Sequence, residues 1–195
     1  TTIETSVTTA PPTPQSTSVE SVGAPALPFE LLNPTAVGVA QDGALLIADG
    51  DRIVRLEEGT AQVLVGSGVL DEPLIIDDTI ERVSDVIVDS EGLVVFADIG
   101  SNTVRRITAT GSLVTLGQFS GPSGLAVGSD GAIYVAESLG RQVARVDPDG
   151  SVAVLAEGLN GPVSLAITGE QLFIAERSAQ RITAVSLDSG QRTTL

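Results

Sequence analysis

Four carboxylates stand at matched places in the sequence. Asp49, Asp98, Glu137 and Glu176 each close an apolar run on Ala-Asp or Ala-Glu, at spacings of 49, 39 and 39 residues. Acids repeated in register around a common axis supply the oxygen ligands that a hard cation such as Ca²⁺ takes, which makes these four the candidate metal ligands. The same pattern has a structural reading: a carboxylate ending a strand accepts hydrogen bonds from backbone N–H groups of the loop that follows. Recurrence in every copy favours that bracket over catalysis, and the sequence assigns no catalytic residue. No resident cofactor is expected beyond this candidate Ca²⁺.

The remaining reactive groups are few. The chain has no His and no Cys, so a Ser–His pair, a thiol nucleophile and a thiolate metal site are all excluded. Arg52, Arg141 and Arg181, with Arg177 nearby, flank the four acids and are expected to neutralise them rather than to hold an anionic ligand. Eight further acids fall between Asp71 and Glu91, with Arg82 as their sole counter-charge. That stretch reads as a solvated loop, and Asp71, Glu72, Asp77 and Asp78 are its candidates for binding a ligand or partner. The Gly-Ser-Gly at 66–68 lacks the context of a phosphate loop.

Charge narrows the partners. The formal net charge is −15 over 195 residues, and all ten cations are Arg. A surface of that sign repels phosphate backbones and anionic membranes, so nucleic acid is not a partner. A protein partner or further copies of the chain are expected instead. No stretch carries the roughly twenty apolar residues of a membrane span, so no direct insertion is expected. Residues 1–25 form a Thr/Ser/Pro-rich stalk or linker. Such a stalk commonly follows a removed export signal or an anchor, which points to a secreted or cell-envelope location outside the cytoplasmic membrane.

The elements that position these residues repeat. Hydrophobic residues make up 42% of the chain, yet it has four Phe, one Tyr and no Trp. The core is therefore Val, Leu, Ile and Ala, which leans towards strands. Four copies align on LLIADGDRIVRL (45–56), LVVFADIGSNTVRRI (93–107), AIYVAESLGRQVARV (132–146) and QLFIAERSAQRITAV (171–185). Each predicts four short strands: a small apolar one, a Gly-containing turn, a second ending on the acid, a third alternating in polarity, and an outer fourth. A period near forty with frequent turns is the mark of a propeller blade. One such sheet cannot cover its own two faces and must stack on its neighbours. The expected fold is an all-β propeller of four-stranded antiparallel blades over 26–195. The blades fall near 34–66, 82–117, 121–158 and 161–195, and a long acidic link covers 66–81.

GPSGLAVGSDGAIYVAES (121–138) and NPTAVGVAQDGALLIADG (33–50) resemble the NHL-type propeller repeat most fully, and the other two copies more loosely. Within that family the chain is similar to the extracellular sensor propellers of bacterial receptor Ser/Thr kinases, which also stand on a Pro/Thr-rich stalk. The resemblance implies a non-catalytic extracellular binding or scaffold domain. Related propellers include gluconolactonase-type lactonases and streptogramin-lyase-type enzymes. The lyases imply a catalytic His that this chain lacks, and the lactonases imply an axial Glu/Asn/Asp metal centre. The alternatives are thus a metal-dependent lactonase-like hydrolase using axial carboxylates, and a structural subunit of a larger envelope assembly. NHL propellers usually close with six blades, whereas four are visible. The ring is part of a longer chain, is finished by further copies, or closes under strain.

Overall fold

The computed structural model describes residues 29–67 and 80–195. The stalk at 1–25 and most of the acidic link, including Asp71, Glu72, Asp77 and Asp78, lie outside the described residues. The described chain forms four antiparallel sheets of four strands, each a meander in chain order. Blade 1 holds β1 (Pro34–Val39), β2 (Leu45–Asp49), β3 (Arg52–Glu57) and β4 (Thr60–Gly66). Blade 2 holds β5 (Val83–Val88), β6 (Val94–Asp98), β7 (Thr103–Ile107) and β8 (Leu113–Gln118). Blade 3 holds β9 (Pro122–Val127), β10 (Ile133–Glu137), β11 (Gln142–Val146) and β12 (Val152–Glu157). Blade 4 holds β13 (Pro162–Thr168), β14 (Gln171–Glu176), β15 (Arg181–Ser186) and β16 (Arg192–Thr194). Besides these strands the described residues contain one 3₁₀ turn, Arg177–Ala179.

The inner strands β1, β5, β9 and β13 pack in series, and the period-2 alternation of each strand decides what lies between blades. From β2, Leu46 and Ala48 point towards blade 2, where they meet Val86 and Phe96. From β6, Val95 and Ala97 point towards blade 3 and meet Leu125 and Val135. From β10, Tyr134 points towards blade 4 and meets Leu172 and Ile174. Each buried Val, Leu, Ile and Phe among these contributes about 1.5–3 kcal/mol through removal from water, and the two Ala less. Inner strands come so close that a Cβ added at Gly38 would lie 2.8 Å from the Val86 carbonyl oxygen. The small residues of the first strand are therefore dictated by the neighbouring backbone.

A hydroxyl joins each of the first three blades to the next. The register of the first strand slips at one residue, which is Thr35, Ser84 and Ser123 in blades 1 to 3. Their hydroxyls donate to the carbonyls of Val83, Pro122 and Pro162, each 2.8 Å away and each the first strand residue of the following blade. In blade 4 the slip falls on Val163, which has no hydroxyl.

A second series lies in the crossovers between blades. Ile80, Phe119 and Leu159 are buried large side chains that precede blades 2, 3 and 4, and each packs into the core shared by the two blades it connects. Leu31 holds the same place before blade 1. It packs with Phe29 over Ile47, Val54 and Val63, on the face of blade 1 turned away from blade 2. On that face Val37 and Val39 are 63% and 61% exposed, whereas Val86 and Leu125, which match Val37 in blades 2 and 3, are 1% and 3% exposed. Blades 1 and 4 thus do not cover each other as their neighbours do, and the described blades form an open arc.

Candidate functional site

The four repeat acids all stand at one end of the arc, where the second strand of each blade ends. Their burial is complete or nearly so, and each carboxylate clamps the crossover that enters its own blade. The N–H groups of Leu32 and Asn33 donate to Asp49 at 3.0 and 2.6 Å. Those of Glu81 and Arg82 donate to Asp98 at 3.2 and 2.9 Å. Ser120 donates its N–H to Glu137 at 2.6 Å, and Asn160 donates to Glu176 at 2.7 Å. The bracket expected from the sequence has different donors from those foreseen: they lie 16 or 17 residues upstream rather than in the following loop. Asp98 alone of the four combines both, since Gly100 and Ser101 of its following loop also donate their N–H groups to it.

Each carboxylate then takes a different side-chain partner. Arg52 is buried against Asp49 at 2.7 Å and also donates to the Glu30 carbonyl. Arg181 pairs with Glu176 at 2.8 Å. Arg141, expected to neutralise Glu137, instead donates to the Leu159 carbonyl and to Asn160 Oδ1, and Gln142 donates to Glu137 at 2.7 Å. Asp98 receives the Ser101 hydroxyl. Burial pushes the Asp49 carboxyl up, but the N–H groups of Leu32 and Asn33 and the Arg52 guanidinium outweigh it and hold it below its ordinary value. Glu176 is held at about 2: burial raises it, and Arg181, the Thr183 hydroxyl and the Asn160 N–H lower it further. These acids sit on four separate blades with their oxygens already accepting hydrogen bonds, and among the described residues no three acids group so as to hold a metal ion.

One acid was not singled out by the sequence reading. Asp85 lies on the inner strand β5, where the other blades carry Ala36, Gly124 and Ser164. Its carboxylate accepts the Val86 N–H at 2.8 Å and, across the blade boundary, the Leu125 N–H at 2.7 Å. Burial raises its pKa above the ordinary value, and the two N–H bonds only partly oppose this. The signal was available: a lone acid stands in a column of small residues.

The same end also presents exposed groups. Leu32 and Leu139 project from the crossover before β1 and from the β10–β11 loop, and Arg82, Arg141 and Arg177 are exposed beside them. A groove of about 290 Å³ runs between blades 1 and 2, lined by Asn33, Thr35, Arg82, Val83, Ser84 and Ile99. At the opposite end the turns carry acids, pinned in three blades by one Arg each. Arg55 pairs with Asp42 at 2.7 Å, Arg106 with Asp89 at 2.9 Å, and Arg145 with Asp130 at 2.8 Å.

Comparison with known proteins places this architecture among β-propellers. No family model and no curated protein matches the chain. A streptogramin B lyase is similar over 86% of this chain and 56% of its own, with 18% identity and a TM-score of 0.68. A gluconolactonase from Xanthomonas campestris is similar over 84% and 62%, with 21% identity and a TM-score of 0.69. A propeller in the nidogen–laminin complex is similar over 85% and 64%, with 18% identity and a TM-score of 0.72. At such identities the likeness defines the fold and no more. The chain spans between half and two thirds of the length of these solved propellers.

Proposed function

We propose that the chain is a non-catalytic binding or scaffold propeller of the NHL type, displayed outside the cytoplasmic membrane, which recognises a protein through the end that carries the crossovers. One observation supports this most directly. The acids that could have formed an active centre are engaged in holding the backbone, while exposed Leu32, Leu139, Arg82, Arg141 and Arg177 stand at that same end. Apolar side chains set among arginines suit a protein interface better than a small-molecule pocket. The likeness to a propeller of the nidogen–laminin complex agrees with this reading. Exposure of a stalked domain outside the cell agrees with its composition.

A second reading, a lactonase-like hydrolase, draws on the gluconolactonase likeness and on Asp85, a half-buried carboxylate on an inner strand. The two separate in one experiment. The purified chain is assayed for lactone hydrolysis with Ca²⁺, Mn²⁺ and Zn²⁺, and in parallel used to capture partners from a cell-surface extract alongside the double variant Leu139→Asp, Arg141→Glu. The binding reading expects no turnover and a captured protein that the variant loses. Metal-dependent turnover abolished by Asp85→Ala would replace it with the hydrolase.

A further inference from the structure

The loop between β10 and β11, residues 138–141, carries two residues that its counterparts do not, and blades 2 and 4 flank it on either side. At the place of Leu139, blade 2 has Gly100 and blade 4 has Ser178; at the place of Arg141 they have Asn102 and Gln180. The seat under the first of these is shared by blades 3 and 4. A Cβ on Gly121 would lie 2.7 Å from Leu139 Cγ, and one on Gly161 would lie 2.7 Å from Ser178 Oγ. Because a serine fills the seat in blade 4, folding does not demand the leucine. Leu139 is nevertheless 74% exposed, more than any other large hydrophobic side chain among the described residues. The loop that presents it is pinned to the crossover before blade 3. The Ser138 N–H and hydroxyl both donate to the Gly121 carbonyl at 2.9 Å, and the N–H groups of Leu139 and Gly140 donate to the Ser120 carbonyl at 3.2 and 3.0 Å. An apolar side chain held on a fixed loop loses little backbone freedom when a partner covers it.

Arg141 departs from the charge pattern of the repeat. The third strand opens on Arg52 in blade 1 and Arg181 in blade 4, and each pairs with the acid of its own blade. In blade 3 that place belongs to Gln142, which donates to Glu137 at 2.7 Å. Arg141 stands one residue earlier and pairs with no carboxylate among the described residues, in a chain where 25 acids outnumber ten Arg. Its φ of 57° carries the side chain over the crossover before blade 4. There Nε donates to the Leu159 carbonyl at 3.0 Å and one Nη donates to Asn160 Oδ1 at 2.7 Å. These bonds fix the guanidinium and leave its other Nη without a partner, so a planar donor group is held in place for a carboxylate. We propose that Leu139 and Arg141 make a two-point contact with an acidic protein partner: an apolar surface of the partner covers the leucine, and an Asp or Glu at the edge of that surface pairs with the guanidinium. This deepens the binding reading above and rests on it.

A displayed library of random linear peptides, selected on the purified full chain, tests this. The selected peptides are expected to carry an Asp or Glu close to a large apolar residue. Affinity of the strongest one is then measured by fluorescence anisotropy for the wild type, Leu139→Ser and Arg141→Gln. Both substitutions copy what blade 4 carries at the same places, Ser178 and Gln180, so the melting temperature is expected to stay near that of the wild type. Leu139→Ser weakens binding by about tenfold or more. Arg141→Gln weakens it by about two- to fivefold. Changing the peptide's acid to its amide abolishes the further effect of Arg141→Gln, as a direct pair requires. That change on the peptide alone costs the same two- to fivefold, and so tests the pairing even if Arg141→Gln does not fold. Selected peptides that bind both variants as they bind the wild type, or an empty selection, overturn the proposal. So does heparin retained by the wild type and by Leu139→Ser but not by Arg141→Gln, which would assign the guanidinium to an anionic polysaccharide. Peptides without an acid that Leu139→Ser still releases overturn the acidic partner and leave the binding reading intact.

Discussion

The hydroxyl of Ser123 donates to the carbonyl of Pro162, 2.8 Å away and 39 residues on, and so ties the inner strand of blade 3 to that of blade 4. Ser84 and Thr35 do the same one and two blades earlier. Such a bond contributes about 1 kcal/mol net, and its loss leaves a carbonyl without that donor between two packed strands. Ser84→Ala and Ser123→Ala are each expected to lower unfolding stability by about 1 kcal/mol, read from chemical denaturation at unchanged m. An unaltered midpoint in both variants would show that the hydroxyls are incidental.

The brackets predict a larger effect. Asp49→Ala leaves the N–H groups of Leu32 and Asn33 without their acceptor and Arg52 buried without its counter-charge. Breaking a buried pair in this way costs about 3–5 kcal/mol. Calcium addition is expected to leave the melting temperature of the wild-type chain unchanged, since a stabilising ion would have to displace those backbone donors. A rise in melting temperature with Ca²⁺ that Asp98→Ala and Glu137→Ala abolish would restore the cation site.

Two carboxyls titrate in opposite senses. Glu176 is held near 2 against an ordinary 4.5, so the stability it lends is complete above 4.5 and is lost as pH falls from there towards 2. Asp85 is raised above 3.8, so its ionisation opposes folding, and its contribution improves as pH falls through its folded pKa. Carboxyl carbon shifts followed by NMR are expected to show a midpoint above 3.8 for Asp85 and near 2 for Glu176. Both midpoints at their ordinary values would contradict the burial described for Asp85 and the hydrogen bonding described for Glu176.

The blades were legible because their signals are local. Ala-Asp at the end of β2 and the Gly turns at 43, 92 and 131 fix strand ends within a few residues of themselves. The clamp on Asp49 was legible as chemistry but not as geometry, since its donors, Leu32 and Asn33, come from a crossover that only folding brings alongside. The Thr35, Ser84 and Ser123 series, and its interruption at Val163, stood in the aligned copies, but a hydroxyl beside a strand start has many local uses. Its role follows only from the approach of the next blade. Arg141 shows the same limit: its position next to Glu137's loop suggested neutralisation, and a left-handed backbone turned it instead towards Leu159 and Asn160.

The crossover side chains provide the sharpest contrast within one chain. Leu159→Ala removes a buried side chain from the core between blades 3 and 4 and is expected to cost about 2–4 kcal/mol through lost burial and the cavity left behind. Leu31 occupies the equivalent place but is only half-buried, packed against Ile47, Val54 and Val63, with no blade before it among the described residues. Leu31→Ala is therefore expected to cost about 1 kcal/mol or less, because part of its surface already faces water. Denaturation midpoints of the two variants check this: equal penalties at Leu31 and Leu159 would show that the two side chains are covered alike.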